Sequence, residues 1–359
     1  MSDTQPEPEL SGSGSDLSNF RAASELAGLT EAERGAEVPL ALQLQERHPD
    51  WPELRVKVLL DPHVYKADAA LLAPALLETD VFVPEISGWR PTSLDYYQAI
   101  ADGEVSTSDY EPGLIGIGGA AAEKYRQVAG TGVAIMLLDT PADTELNQAL
   151  VQHFDVDRKA YRQAAFTYPS LTESLAATRV LHHREADLQR QRELGQMDDF
   201  EMRLAELFER RPTLKDKPSL RIVMSIGGFH ATLRDDFVTE GFTTDQVEPD
   251  PELPPYAQLT ATYMKNEEPD DNLVSRAWFA DQALHSLVAE TAGRASGRSD
   301  VAARLENSIV DRLERADFED FYADVQATGD RRQSLLTLLE HKNIIAYDDD
   351  SRRQWRYVM

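Results

Sequence analysis

The chain of 359 residues carries a formal net charge of −27 and contains no cysteine. The absence of cysteine excludes disulfides, thiolate metal sites and a cysteine nucleophile. The acidic charge disfavours nucleic acids and anionic membrane surfaces as partners, because both require clustered Lys and Arg. No apolar run reaches the length of about eighteen residues that predicts a membrane span, and the N-terminus lacks the pattern of a secretion signal. We therefore expect a cytoplasmic protein.

The predicted elements follow one another in the order typical of an α/β protein. Residues 1–17 are rich in Ser, Gly, Pro and acidic side chains, which predicts a disordered acidic tail. An α/β core is predicted over 18–245. Within it, helical segments separate short apolar runs that predict strands at 56–60, 81–86, 133–139 and 220–226. This alternation predicts a mostly parallel sheet with helices on both faces.

The second half of the chain is predicted to be largely helical. A long helical region covers roughly 145–211, before the fourth strand. An acidic, proline-rich stretch over 246–272 is predicted to be a linker or lid, because proline interrupts regular helix. Residues 273–345 have the pattern of amphipathic helices, and 346–359 form a tail. The predicted fold is thus an α/β core extended by C-terminal helices.

Each predicted strand ends in an ionisable side chain or is followed closely by one, namely His63, Glu85, Asp139 and His230 in chain order. In open α/β sheets the ligand site lies outside the carboxyl ends of the strands, so these positions are candidates for function. The same residue types are also common in ordinary turns. His230 has the strongest case, because two glycines at 227–228 allow close approach of the backbone and a helix is predicted to start at residue 231.

A fifth candidate lies on the predicted helix over 171–194. Ala177, Leu181, Arg184, Leu188 and Gln191 fall on one stripe at helical spacing. This stripe predicts that Arg184 faces the core, where a guanidinium needs a carboxylate or an anionic ligand. The alternative is a local pair with Asp187. The neighbouring His182 and His183 are expected at the surface, although one of them could join the site.

The candidate set resembles the TraB/PrgY, Tiki and GumN-type proteins, whose distant relatives are erythromycin esterases and ChaN-like haem-binding proteins. That family carries two G-x-x-H motifs, a Glu ending a strand and an Arg on a helix. Residues 227–230, GGFH, match the second motif, and residues 60–63, LDPH, match the first in position but lack its glycine. Glu85 in DVFVPEISGW and Arg184 in HHREADLQRQREL stand where the family has its Glu and Arg. The resemblance covers residues 55–235.

The resemblance implies a hydrolase that acts on a small molecule or a peptide. A divalent metal ion (Zn, Mn or Co) would be held by His63, Glu85 and His230 and would activate water, while Arg184 would stabilise an oxyanion. The esterase relatives imply a metal-free variant in which a histidine acts as general base. The haem-binding relatives imply an alternative, a ligand- or haem-binding protein without turnover.

Three further functions remain open from the residues alone. Gly116, Gly118 and Gly119 precede a predicted helix and could hold a phosphate, but this loop contains no basic residue. Ser225 does not lie in a G-x-S-x-G motif, which disfavours a hydrolase of the nucleophile-elbow type. The acidic C-terminal helices could instead form the contact surface of an interaction protein.

Overall fold

The computed structural model describes residues 38–60, 72–105, 118–228, 230–242, 252–288, 299–347 and 355–357. The predictions of a disordered tail at 1–17, of a turn carrying His63 and of a phosphate loop at 116–119 fall wholly or largely outside these residues.

The sheet is parallel, and all of its strands correspond to the predicted ones. They are β1 (Glu53–Leu60), β2 (Val81–Pro84), β3 (Ala134–Ile135) and β4 (Ser219–Ile226), in the spatial order β1-β4-β2-β3. β1 pairs with β4 along its whole length, from Glu53↔Ser219 to Leu60↔Ile226. Every residue of β2 is buried. This burial is expected for a strand between two helical layers, and it explains the continuous apolar runs.

Helices make up most of the remaining described chain. They are α1 (Leu40–Arg47), α2 (Ala73–Leu76), α3 (Pro91–Ala101), α4 (Gly118–Val128), α5 (Glu145–Val151), α6 (Arg158–Ala164), α7 (Leu171–Arg210), α8 (Ala231–Thr239), α9 (Pro255–Met264), α10 (Asp271–Phe279), α11 (Ser299–Val310), α12 (Arg315–Thr328) and α13 (Arg331–His341). Two π-helical segments, Gln152–Asp157 and Ala280–Leu284, directly follow α5 and α10. Within the described ranges, none of these helices is both long and apolar enough to cross a membrane.

Helices cover both faces of the sheet, as predicted. On one face, Phe200 of α7 and Phe237 of α8 pack with Ile222 of β4 in one hydrophobic core. On the other face, Ile100 of α3 and Val128 of α4 pack in a second core. The predicted α/β class with a parallel sheet is therefore confirmed.

The forty residues of α7 belong to two cores. At a rise of 1.5 Å per residue the helix is about 60 Å long. Its first turns place Leu171 and Leu175 in a third core, formed with Trp278 of α10 and Phe321 of α12. Its last turns pack on the sheet. The C-terminal helices thus extend the α/β core, as predicted, and α7 joins them to it.

The proline-rich stretch at 246–272 is more ordered than predicted. It contains α9, which packs against α7 and α10, and it ends in the first turn of α10. Pro254 and Pro255 occupy the N-cap and first helical positions, where the missing N–H and the fixed φ are compatible with a helix. The expectation that this proline-rich stretch contains no regular helix is therefore wrong for residues 255–264.

The predicted C-terminal tail contributes regular structure as well. β5 (Ile345–Tyr347) pairs antiparallel with β6 (Trp355–Tyr357). Ile345 is buried in the core of the C-terminal helices.

A cluster of buried charges lies between α7 and the two π-helical segments. Arg158 contacts Glu185 at 3.2 Å and Asp281 at 3.5 Å, and both carboxylates are almost fully buried. His153, with no exposed side-chain surface, approaches Glu185 at 3.4 Å. Burial alone would raise the pKa of Glu185 and of Asp281, but Arg158 and the other partners outweigh it and lower both to about 2. These ion pairs join α7 to the segments that contain His153 and Asp281.

We predict that Asp281→Asn lowers the free energy of unfolding by about 3 kcal/mol, because Arg158 loses one of its two carboxylates in a buried position. The matched control is Asp155→Asn, whose side chain is 65% exposed in its pair with Lys159. It should change stability by less than about 0.5 kcal/mol. Urea unfolding of the two variants at pH 7 tests this; equal effects would contradict a structural role for the cluster.

Candidate active site

Arg192, in the middle of α7, joins the ends of two strands. Its Nε donates to Asp139 Oδ1 at 2.7 Å and its Nη2 donates to Asp139 Oδ2, a bidentate pair. The same Nη2 donates to Glu85 Oε1 at 2.9 Å. Glu85 follows β2 directly and Asp139 lies four residues after β3, so one guanidinium holds the carboxyl ends of both strands. Burial lowers the pKa of Arg192, but the two carboxylates outweigh that effect and the net pKa is raised.

His230 lies at the carboxyl end of β4, immediately before α8. Its Nδ1 contacts Glu193 Oε1 at 2.9 Å, and its Nε2 lies 3.5 Å from Glu85 Oε1. The side chain is 3% exposed. Burial disfavours the imidazolium, but the hydrogen bonds with Glu193 and Glu85 outweigh it and raise the pKa of His230 to about 9. The two carboxylates therefore favour the imidazolium form of His230, which can donate a proton.

Local backbone structure places His230 and Glu85 near each other. Glu85 N–H donates to the carbonyl of Ser225 at 3.0 Å, which extends the pairing of β2 with β4 by one residue. Glu85 Oε2 accepts from Gly227 N–H at 2.5 Å. His230 N–H donates to the Gly227 carbonyl at 3.0 Å, which closes a tight turn before α8. The two-glycine turn thus lies directly against the Glu85 carboxylate.

Glu193 orients His230 and is itself held in place. Its Oε2 accepts from Thr232 Oγ1 at 2.5 Å and from Arg190 Nη1 at 3.1 Å. Arg190 also pairs with Asp236 on α8, with an Nη1–Oδ2 distance of 2.5 Å. Glu193 has no exposed side-chain surface. Because its carboxylate is fixed on the Nδ1 side of the ring, Nε2 is the nitrogen directed at Glu85.

The structure places Arg184 at the surface, so the expectation that it faces the core is wrong. Its side chain is 56% exposed and approaches Asp157 at 3.5 Å. Successive residues are about 100° apart around a helix, so Arg184 lies about 60° from Leu181 on one side and Glu185 about 40° on the other. Leu181 and Leu188, each 8% exposed, lie at the border of the buried face, and that face continues on the Glu185 side.

Two of the predicted residues, Glu85 and His230, meet in the site. Asp139, considered because it follows a strand, meets them through Arg192. His182 is buried, but its Nδ1 bonds Thr260 at 2.9 Å in the helical half, away from this cluster. Sequence reasoning missed Arg192 and Glu193. The signal that could have found them is a second stripe on α7, in which polar residues repeat at helical spacing, namely Glu185, Gln189, Arg192 and Gln196.

The observed contacts of Glu85 and His230 do not fit a metal ion. Both oxygens of Glu85 accept hydrogen bonds, and His230 Nε2 lies 3.5 Å from Arg192 Nη1, so these ligand atoms already have partners. Across the part of the chain that the structure describes, no three His, Asp or Glu side chains are grouped to hold a metal ion. His63 lies outside that part, so the three-residue metal site stays a prediction. A haem iron needs a neutral imidazole, which the raised pKa of His230 disfavours.

Comparisons with protein families, with characterised proteins and with solved structures give no match to this chain. The resemblance to the TraB, Tiki and GumN type therefore rests on the residues alone and stays a prediction.

We predict that Arg192→Met destabilises the protein by about 3–5 kcal/mol, because Glu85 and Asp139 are then left buried without their partner. Arg184→Met on the same helix should change stability by less than about 1 kcal/mol, since that residue forms an exposed pair. Chemical denaturation of both variants measures the difference. A large loss in Arg184→Met with none in Arg192→Met would contradict the assignment.

The raised pKa of His230 also predicts how stability depends on pH. The folded-state pKa of about 9 exceeds the ordinary histidine pKa of 6.5. The stabilisation is therefore complete below pH 6.5 and is lost as pH rises through 9. It is on the order of 3 kcal/mol. Urea unfolding from pH 6 to 10 should show this loss in the wild type but not in His230→Gln. His183→Gln, at an exposed position, is the control and should follow the wild type.

Proposed function

We propose that the protein is a hydrolase that cleaves an ester or amide bond by acid–base chemistry between Glu85 and His230. The proposal is carried by one observation. A buried histidine and a buried carboxylate, 3.5 Å apart, lie together at the carboxyl ends of two adjacent parallel strands, where α/β proteins place their ligand sites. The predicted resemblance to hydrolases supports the same reaction class.

The charge states assign a role to each group. His230, as an imidazolium, is the general acid that delivers a proton from Nε2 to the leaving group. Glu85 is the carboxylate that accepts a proton from the attacking water. This differs from the metal-free variant that the sequence suggested, in which a histidine is the base. The difference arises because Glu193 and Glu85 together keep the ring protonated.

The two roles form a closed proton cycle. Water loses a proton to Glu85 as its oxygen bonds to the acyl carbon, and the leaving group takes the Nε2 proton as its bond to that carbon breaks. Glu85 is then protonated and His230 neutral. Direct transfer from Glu85 Oε1 to His230 Nε2, over the observed 3.5 Å, restores both starting states. Arg192 and Glu193 act as positioning residues, because each holds one member of the pair.

A panel of p-nitrophenyl esters and peptide anilides tests the proposal. We expect His230→Gln and Glu85→Gln each to lower kcat/KM by about 10²–10⁴-fold, the usual contribution of general acid–base catalysis. The controls His183→Gln and Glu78→Gln change exposed side chains and should keep wild-type rates. Circular dichroism and melting curves verify folding. Wild-type turnover in both site variants would overturn the proposal.

The pH profile separates the acid role from the base role of His230. If the imidazolium is the acid, kcat/KM falls as pH rises through about 9. If the neutral ring were the base, the rate would instead rise over the same range. Glu193→Gln removes the negative charge of one of the two acceptors that raise the pKa of His230, so it should move the fall in rate to lower pH.

A further inference from the structure

A cavity of about 300 Å³ runs along the outer edge of β3. Its floor is formed by three consecutive residues, Ile135, Met136 and Leu137. Side chains of successive strand residues point to opposite faces, so a cavity that touches all three lies along the backbone edge of the strand. One wall comes from Trp89 and Leu94 at the start of α3, and the other from Leu207 and its neighbours on α7.

The inner edge of β3 pairs with β2. Ala134 N–H donates to the Asp80 carbonyl and Met136 N–H to the Phe82 carbonyl, both at 3.1 Å. The N–H and C=O groups of the alternate residues 133, 135 and 137 therefore point outward, toward the cavity side. β3 is the last strand in the sheet order.

The first outward pair consists of the Val133 C=O and the Ile135 N–H, and a side chain bonds both groups in place of a neighbouring strand. Gln98 Nε2 donates to the Val133 carbonyl at 3.0 Å, and Ile135 N–H donates to Gln98 Oε1 at 2.9 Å. A residue of a parallel neighbouring strand makes the same two bonds with its own N–H and C=O. The carboxamide of Gln98 thus occupies one residue position of a missing fifth strand.

The next outward pair lies on the cavity side of the strand. It consists of the Ile135 C=O and the Leu137 N–H, on residues that are 1% and 2% exposed. Among the residues that the structure describes, Leu137 N–H donates no hydrogen bond and Ile135 C=O accepts none. Buried backbone groups in proteins are nearly always paired, and leaving them unpaired is costly.

We propose that this edge is a binding site for an extended peptide segment of a partner protein, which adds a parallel strand beside β3. One peptide residue would lie opposite Met136, with its N–H donating to Ile135 C=O and its C=O accepting from Leu137 N–H. An antiparallel strand that paired with Ile135 would need its N–H and C=O together, and Gln98 already takes that N–H. Side chains that flank this residue would contact the apolar walls, so the partner segment carries aliphatic or aromatic residues there.

An ion pair lies at the rim of the cavity, where it would limit the access of a peptide to β3. Arg210 on α7 bonds Asp95 on α3 at 2.8 Å across the cavity mouth, and both side chains are partly exposed, at 37% and 75%. Such a pair is weak and opens at little cost. Arg203 lies over the Trp89 ring at 4.8 Å and forms part of the lining. Arg192 and Arg203 are eleven residues apart on α7, about 16 Å along the helix, and neither Glu85 nor His230 lines the cavity.

The test uses acetylated and amidated pentapeptides that alternate Thr with Val, Leu or Phe, and the same peptides N-methylated at the central residue. We expect at least one unmethylated peptide to shift the Leu137 amide resonance in a saturable way and to slow its hydrogen exchange. N-methylation removes the donor to Ile135 C=O, so it should weaken binding at least tenfold.

Variants in the walls complete the test. Leu94→Glu places a charge in the cavity and should abolish binding, whereas Thr92→Glu, an exposed change on the same helix that does not line the cavity, should not. Arg210→Ala removes the rim pair and should tighten binding. Arg211→Ala, whose partner is Asp102 outside the cavity, should leave it unchanged.

Three results would overturn the proposal. The first is the absence of any Leu137 shift with every peptide in both the wild type and Arg210→Ala. The second is equal binding of the N-methylated peptides, which would indicate a pocket for apolar side chains without strand pairing. The third is self-association of the wild-type chain in sedimentation that Leu94→Glu abolishes, which would make the occupant a second copy.

Discussion

The buried guanidinium of Arg192 is the contact on which the rest of the site depends. An interior cation requires carboxylates, and those it has, Glu85 and Asp139, follow β2 and β3. Arg192 therefore ties α7 to the carboxyl edge of the sheet at one point. Glu193, the next residue along the helix, reaches His230 from the same segment. The positions of the acid and the base relative to each other thus follow from the placement of two adjacent residues of α7 against three strand ends.

This arrangement explains why the pKa of His230 is raised, although the residue lies in a turn at the end of a strand. Two buried carboxylates face its two nitrogens, and they outweigh both desolvation and the nearby Arg192. The geometry of strand ends alone would allow either protonation state. It is the number of negative groups enclosed with the ring that favours the charged one. The buried histidine in the helical half shows the opposite case. Burial lowers the pKa of His182 to about 4, because desolvation and the cations near it outweigh its contacts with carboxylates.

The strands and the strand-end residues could be predicted because each depends on local sequence. Apolar runs such as VFVP predict buried strands, and the residue after such a run is placed at the sheet edge whatever the rest of the chain does. The orientation of α7 could not be predicted in the same way. Its buried face carries Glu185, Gln189 and Arg192, whose burial depends on partners elsewhere in the chain. Leu181 and Leu188 lie at the border of that face, so a stripe drawn through them points to Arg184. The open edge of β3 could not be predicted either, because it depends on the order in which the strands pair.

The continuity of α7 has a mechanical consequence. A helix embedded in two hydrophobic cores behaves as a stiff rod, and its ends cannot move independently unless it bends or breaks between them. Arg192 and Glu193 lie in the polar middle of this helix, between the turns that pack in the helical half and the turns that pack on the sheet. Arg192 lies 21 residues from the start of α7, about 30 Å along the helix from the turns that pack in the helical half. One continuous helix thus couples the helical half to the sheet, and Arg192 and Glu193 lie near its middle.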